Sequence, residues 1–191
     1  MGKKKKILIA MGSPRKEGNS ASLAKQVASG AEAVGAKVER FYLHGMDIQP
    51  CMGCEACREA GAKGCVVDDD MQTLYPKIEQ ADAIAIASPV YWFTVSAQTK
   101  LFMDRWYAYG SQEYRVFEGK RFGIVLTYGD VDPFASGAVN ALRTFQDALS
   151  YVGARIVGMV YGTASEAGEI RGNRELMEKA YELGKELGSG T

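Results

Sequence analysis

The sequence lacks the features that several function classes require. Its 191 residues carry 23 Lys and Arg against 23 Asp and Glu, so the zero net charge gives no electrostatic case for nucleic-acid binding. No run of about 18 apolar residues is present, and we expect no membrane span. The chain has one histidine, His44, without a visible partner, and we assign it no catalytic role.

The N-terminus has too few apolar residues for a secretory leader. Its basic residues precede only five apolar residues before Gly-Ser-Pro-Arg, which is too short for the apolar region of a signal peptide. We therefore expect a cytoplasmic protein, most simply one domain over residues 1–191 with a cysteine-rich insertion at 51–65. In a reducing compartment, four cysteines indicate a metal or redox role more than a disulfide framework.

Apolar segments that alternate with helical patterns predict the fold. Strands are predicted at 7–11, 36–43, 81–88, 121–127 and 154–161. Helices are predicted at 21–33, around 71–78, at 96–109, at 139–152 and from 173 onward. This alternation is typical of an α/β protein whose parallel sheet is covered on both faces. We expect a doubly wound, five-stranded sheet of order 2-1-3-4-5, with a ligand between strands one and three.

The loop after the first strand has the character of a phosphate-binding turn. Residues 12–20 read Gly-Ser-Pro-Arg-Lys-Glu-Gly-Asn-Ser and lead from a buried strand to a helix N-terminus, where free N–H groups and the helix dipole favour an anion. Ser20 is predicted to be the N-cap. The loop has neither a Walker A nor a G-x-G-x-x-G pattern. An ordinary capped turn is the alternative to a site for one terminal phosphate, whose predicted ligands are Ser13, Arg15, Asn19 and Ser20.

A bulky stretch follows the third predicted strand, at the sheet edge where binding loops belong. Its residues could enclose a flat ring, or the aromatic side chains could simply cover the next helix. The predicted ring-binding residues in this stretch are Pro89, Val90, Tyr91, Trp92 and Thr94.

The four cysteines lie in one short segment with the spacing C-x2-C-x2-C-x7-C. They are Cys51, Cys54, Cys57 and Cys65. The first two gaps match those of bacterial ferredoxins, which hold a [4Fe–4S] cluster, but the third gap is longer and no proline follows it. A four-thiolate zinc site, free structural thiols and a dithiol redox site are the alternatives.

Three segments resemble the NADPH-dependent FMN reductase and iron-sulfur flavoprotein group. Residues 12–20 match its G-S-P-R-x-x-G-N-[ST] loop, and residues 88–105, SPVYWFTVSAQTKLFMDR, are similar to its isoalloxazine-binding loop and following helix. The segment from Cys51 to Met71 resembles its compact cysteine motif. The resemblance implies a flavodoxin-like fold, FMN, a cluster on the four cysteines, and Thr94, Tyr128, Gly129 and Asp130 near the flavin ring.

These observations together predict an iron-sulfur flavoprotein, an FMN-dependent oxidoreductase that transfers electrons through FMN and a [4Fe–4S] cluster. One alternative is a clusterless NAD(P)H-dependent FMN or quinone reductase, and another is a flavodoxin-like electron carrier. The resemblance implies ferredoxin or NAD(P)H as electron donor and a homodimer or homotetramer. No catalytic acid or base is required, because the flavin carries the chemistry.

Overall fold

The computed structural model describes residues 4–189 and contains one main sheet. Its strands are β1 (Lys6–Met11), β2 (Lys37–Tyr42), β3 (Ala83–Tyr91), β4 (Thr94–Val95), β5 (Arg121–Tyr128) and β6 (Arg155–Thr163). Five strands are parallel in the order β2-β1-β3-β5-β6, and the two-residue β4 pairs antiparallel with the end of β3. The predicted order 2-1-3-4-5 is confirmed for the parallel strands. The short β4 was not predicted.

Helices cover both faces of this sheet, as in a doubly wound fold. They are α1 (Asn19–Ala33), α2 (Met71–Gln80), α3 (Ala97–Asp104), α4 (Ala138–Tyr151) and α5 (Arg174–Ser189). Alternate residues of a strand face opposite sides. In β1, Leu8 belongs to the core cluster that includes residues of α2, α3 and α4, whereas Ile9 belongs to the cluster that includes residues of α1 and α5. Among residues 4–189, no helix is long and apolar enough to cross a membrane.

Helices α1 and α5 approach each other closely enough to require glycine. A Cβ atom on Gly30 would lie 1.9 Å from the carbonyl oxygen of Tyr181, and one on Gly184 would lie 2.0 Å from that of Val27. Real Cβ atoms do not approach backbone so closely, so each glycine admits the backbone of the other helix. Helices α1 and α5 therefore pack backbone against backbone.

Two predicted helix boundaries are wrong. Ser20 lies inside α1, whose N-cap is Gly18, because the helix already begins at Asn19. The helix predicted over 96–109 ends as an α-helix at Asp104 and continues as a 3-10 helix, Arg105–Gln112. The carbonyl of Arg105 accepts a hydrogen bond from the Tyr75 hydroxyl, at 3.1 Å. Tertiary contacts of this kind favour the tighter turn over a continued α-helix.

A half-buried lysine lies just before the start of β5, beside the C-terminal end of α2. The Lys120 ammonium donates to the carbonyls of Ala81, at 2.8 Å, of Glu79, at 3.3 Å, and of Ile78, all at the C-terminal end of α2. It therefore satisfies carbonyl groups that a helix C-terminus leaves without partners. Burial lowers the pKa of Lys120 to about 8.

Candidate functional site

A cavity of about 290 Å³ opens at the carboxyl edge of the sheet. It lies at the C-terminal ends of the neighbouring strands β1 and β3, whose following helices, α1 and α3, cover opposite faces of the sheet. Doubly wound sheets bind ligands at this place. The lining residues are Ser13, Arg15, Gly18, Asn19, Ser20, Pro89, Val90, Tyr91, Thr127, Tyr128, Gly129, Ala164 and Ser165. The structure thus brings together both predicted binding loops and the end of β5. Thr127, Ala164 and Ser165 were not predicted from the sequence.

The loop between β1 and α1 is closed by its own hydrogen bonds. The Ser13 hydroxyl accepts the N–H of Arg15 at 3.0 Å, and the N–H of Gly18 donates to the Arg15 carbonyl at 3.0 Å. The first N–H groups of α1, near Asn19 and Ser20, have no partner within the helix. The Arg15 side chain is exposed, and in the part of the chain that is described it forms no ion pair. This arrangement favours an anion.

A buried network of hydroxyl groups fixes this loop to α3. The Ser96 hydroxyl donates to the Gly12 carbonyl at 2.7 Å, and the N–H of Ser96 donates to the Ser88 hydroxyl at 3.0 Å. A Cβ atom on Gly12 would lie 1.9 Å from Oγ1 of Thr99, so only glycine fits beside the network. The sequence had indicated Ser88 and Ser96 only as parts of a motif, and their positioning role was missed.

The Asn19 side chain holds the loop after β6, which forms the cavity wall opposite the loop between β1 and α1. Its Nδ2 donates to the carbonyls of Ala164, at 3.1 Å, and Glu166, at 2.9 Å, while its Oδ1 accepts the N–H of Ile170 at 3.2 Å. These bonds hold the loop after β6 against α1. The Asn19 amide is therefore occupied within the protein, and its backbone N–H is the group left for a ligand.

An aromatic hairpin flanks the cavity. Tyr91 in β3 pairs with Thr94 in β4, and the two intervening residues, Trp92 and Phe93, have φ values of 50° and 67°. Two successive positive φ angles are typical of a type I′ turn, which normally contains Asn or Gly. Bulky residues in this conformation store strain of about 1–3 kcal/mol each. Backbone strain of this kind clusters at binding sites and active sites.

Three of the predicted ring-binding residues do not line the cavity. Trp92 is 92% exposed at the hairpin tip, and Thr94 is exposed beside it. Asp130 shapes the loop after β5, since its carboxylate accepts the N–H of Val131 at 2.7 Å and its carbonyl accepts the Thr163 hydroxyl at 2.6 Å. A contact of these residues with a ligand would require the ligand to extend beyond the cavity.

The four cysteines line a second, smaller pocket, of about 20 Å³. Cys51 and Cys54 are exposed, Cys57 is buried and Cys65 is half-buried. Burial, and next the neighbouring thiol of Cys65, raises the pKa of Cys57. In the described range, 4–189, no group of three or more His, Cys, Asp or Glu is arranged to hold a metal ion. The four thiols that line this pocket are soft ligands, so the type of donor suits a soft metal centre.

Backbone and side-chain bonds tie the two ends of the cysteine segment together. The Asp70 carboxylate accepts the N–H of Asp47 at 2.8 Å, and the Asp70 N–H donates to the Asp47 carbonyl at 2.9 Å. The Gln72 amide donates to the carbonyls of Cys65, at 2.9 Å, and Val67, at 2.6 Å. The segment therefore leaves and rejoins the fold at one fixed point.

The sheet order, with a cavity at its switch point, defines a flavodoxin-like protein. The family model described as NADPH-dependent FMN reductase matches residues 5–169, which is most of the chain. The chain therefore belongs to this family and is an FMN-dependent oxidoreductase. The predicted family and enzyme class are confirmed.

Individual relatives agree with this assignment. The chain is 34% identical over 184 residues to an iron-sulfur flavoprotein of Archaeoglobus fulgidus, covering 95% of this chain and 78% of that protein. It is 28% identical over 186 residues to YwqN of Bacillus subtilis, provisionally named an NAD(P)H-dependent FMN-containing oxidoreductase, covering 93% of this chain and 96% of YwqN. The chain spans about half the length of two other iron-sulfur flavoproteins that it matches.

A solved structure supports the fold. The NAD(P)H:quinone oxidoreductase from Methanothermobacter marburgensis superposes with a TM-score of 0.79 at 20% identity, covering 99% of this chain and 98% of that one. At this identity the likeness shows a shared fold, and it agrees with the strand order described above.

Proposed function

We propose that the chain is an iron-sulfur flavoprotein that binds FMN in the cavity at the carboxyl edge and a [4Fe–4S] cluster on Cys51, Cys54, Cys57 and Cys65. The observation that carries the proposal is the presence of both sites on one chain: an anion-binding loop beside a cavity, and a separate pocket lined by every cysteine. When bound, FMN accepts hydride or single electrons, and a cluster passes electrons one at a time.

In this proposal the loop before α1 holds the FMN phosphate. The free N–H groups of the first turn of α1 and the Ser20 hydroxyl supply neutral donors, and the exposed Arg15 guanidinium supplies one charge. The Ser13 hydroxyl donates to the Arg15 carbonyl at 3.2 Å, and in this proposal it turns toward the phosphate when FMN binds. This set is sized for one phosphate monoester. The side chain of Asn19 supports the site by holding the loop after β6.

The flavin ring is proposed to lie between the end of β3 and the end of β5. Pro89, Val90 and Tyr91 form one wall of the cavity, and Tyr128 and Gly129 form another. Trp92, Thr94 and Asp130 then belong to the rim, where the part of the ring outside the cavity would meet them. The chain's own residues bind and orient the ring there.

The proposed partner chemistry follows from the surface around the cavity. Large apolar side chains are exposed there, with Trp92 and Phe93 on the hairpin and Val131 and Phe134 after β5. Exposed apolar clusters of this kind mark interaction surfaces. We propose a homodimer or homotetramer in which a neighbouring subunit covers this surface, and NAD(P)H or ferredoxin as electron donor. Cytoplasmic location stays a prediction.

Anaerobic purification tests the two cofactors separately. We expect released flavin that co-migrates with FMN, and about four irons and four acid-labile sulfides per chain, one iron for each thiolate ligand. Cys54→Ser should lose the cluster and keep FMN, because the two sites are formed by separate segments. Met52→Ala, an exposed residue of the same segment, is the matched control and should keep both cofactors.

A different outcome would favour the alternative function. If the purified chain holds FMN but neither iron nor sulfide, and reconstitution adds none, the chain is a clusterless NAD(P)H-dependent FMN or quinone reductase. Zinc at one atom per chain would identify a structural metal site. Steady-state NAD(P)H oxidation, with a quinone or free flavin as acceptor, then measures the reductase activity.

A further inference from the structure

A buried ion pair lies beside the cysteine pocket. The Arg105 side chain is 1% exposed and the Asp69 side chain is 0% exposed, and both terminal nitrogens of Arg105 donate to the Asp69 carboxylate. Burial raises the pKa of the Asp69 carboxyl, but the hydrogen bonds from Arg105 and from two backbone N–H groups outweigh it, so the pKa lies below its ordinary value. Asp69 is therefore ionised at neutral pH.

This pair joins the two ends of the cysteine segment. The Asp69 carboxylate accepts the N–H of Gln49 at 2.8 Å and that of Met71 at 2.9 Å, and Arg105 donates to the Gln49 carbonyl at 2.9 Å. Gln49 lies two residues before Cys51, and Asp69 lies four residues after Cys65. The backbone next to Cys51 and Cys65 is therefore held in place by the ion pair, whereas Cys54 and Cys57 lie in the loop between these two points.

Arg105 also faces the thiols directly. Its Nη2 donates to the Sγ atom of Cys65 at 3.4 Å, and Arg105 lines the pocket that all four cysteines share. Its Nε atom is buried without a partner in the part of the chain that the structure describes. A buried donor without an acceptor is unfavourable, and native structures rarely retain one without a reason.

The charge of this pair needs an explanation beyond stability. Burying two charges removes their hydration, and apolar side chains of similar size often stabilise a fold equally well or better. An arginine fork, unlike an apolar residue, supplies directed N–H groups and a fixed positive charge. Both properties act on a sulfur-ligated metal centre, whose potential responds to hydrogen bonds on sulfur and to nearby charge.

We propose that Arg105 is a positioning residue for the cluster: it orients Cys65 through an N–H···S bond and raises the reduction potential of the centre. This inference rests on the cluster of the proposed function. The N–H donors and the positive charge stabilise the reduced, more negative cluster, and Asp69 offsets part of that charge while it fixes the fork in place.

Two substitutions of opposite effect test this role. Arg105→Lys keeps the positive charge and loses the forked N–H donors. The one-electron reduction equilibrium should therefore shift about tenfold toward the oxidised cluster, which corresponds to a reduction potential about 59 mV lower. Asp69→Asn leaves the arginine charge without its carboxylate and should shift the potential upward. Arg143→Lys is the matched control, because Arg143 is an exposed arginine paired with Asp147 on α4, and it should leave the potential unchanged.

The measurements are iron and sulfide per chain, FMN per chain, and an anaerobic titration followed by electron paramagnetic resonance. Wild-type potentials in cluster-loaded Arg105→Lys and Asp69→Asn would overturn the role of Arg105 while the proposed function stands. If Arg105→Lys does not fold or load, Arg105→Gln decides, because it keeps N–H donors and removes the positive charge: a lower potential than that of the wild-type chain supports the role, and an unchanged potential overturns it. Absence of iron and sulfide in the wild-type chain would refute the proposed cluster itself. The iron and sulfide analysis alone shows this outcome, without any measurement of potential.

Discussion

Replacing Arg15 by alanine should weaken FMN binding without destabilising the fold. The Arg15 side chain is exposed and makes no ion pair within the described range, so its removal breaks no internal contact. A hydrogen bond to a charged group contributes about 1.5–3 kcal/mol. Because about 1.4 kcal/mol corresponds to a tenfold change in affinity, the Kd should rise about 10- to 160-fold.

The neighbouring lysine provides the matched control for Arg15. Lys16 carries the same charge in the same loop, but its ammonium lies over the Tyr42 ring, 5.0 Å from the centroid, and it does not line the cavity. Lys16→Ala should change the Kd only through long-range charge, an effect that salt screens. Titration of the FMN-free chain, followed by flavin fluorescence at two salt concentrations, measures both variants. Equal losses in the two variants, or unchanged affinity in Arg15→Ala, would refute phosphate binding by this guanidinium.

Two further substitutions test the supports of the site, and a third tests the half-buried lysine at the other end of the sheet. Gly12→Ala places a methyl group 1.9 Å from a hydroxyl of α3 and should destabilise the FMN-free chain by about 1–3 kcal/mol in denaturant unfolding, whereas Gly172→Ala, with nothing within 4 Å, should not. Asn19→Ala removes three hydrogen bonds to the loop after β6, and hydrogen exchange should become faster in that loop while FMN affinity falls. The lowered pKa of Lys120, about 8 against an ordinary 10.5, means that the unfolded chain binds more protons between these values. The free energy of unfolding should therefore rise with pH in this window relative to Lys120→Met, and a parallel pH profile of the two proteins would contradict the shift.

The buried strands could be predicted because both faces of a parallel sheet are apolar. Continuous apolar runs predicted strands at 7–11 and 81–88. The first segment lies within β1, and the second begins two residues before β3. The hairpin at β4 could not be predicted. Its turn contains Trp92 and Phe93 instead of the Asn or Gly that marks such turns, and a two-residue strand shows no alternation.

The candidate site was predictable where its residues are close in sequence. The loop over 12–20 and the end of β3, at Pro89, Val90 and Tyr91, each carry their chemistry in one segment, and both line the cavity. The wall at Ala164 and Ser165 was missed because it lies about 145 residues beyond the loop and consists of ordinary small residues. The cysteine spacing predicted that the four thiols share one site, and they line one pocket. Arg105 and Asp69 were missed because they are distant in sequence and their pairing depends on the tertiary fold.

The close contact between α1 and α5 has a consequence for biosynthesis. Helix α1, whose N-terminus forms the anion-binding loop, begins at Asn19, and the 16-residue α5 that packs against it begins at Arg174, so α1 leaves the ribosome well before α5. Until α5 has emerged, the apolar face of α1 lacks this packing partner, and the loop has an incomplete support. Cofactor loading should therefore follow the synthesis of α5, and a chain that is truncated before α5 should be a target for quality control even though every predicted flavin contact is present.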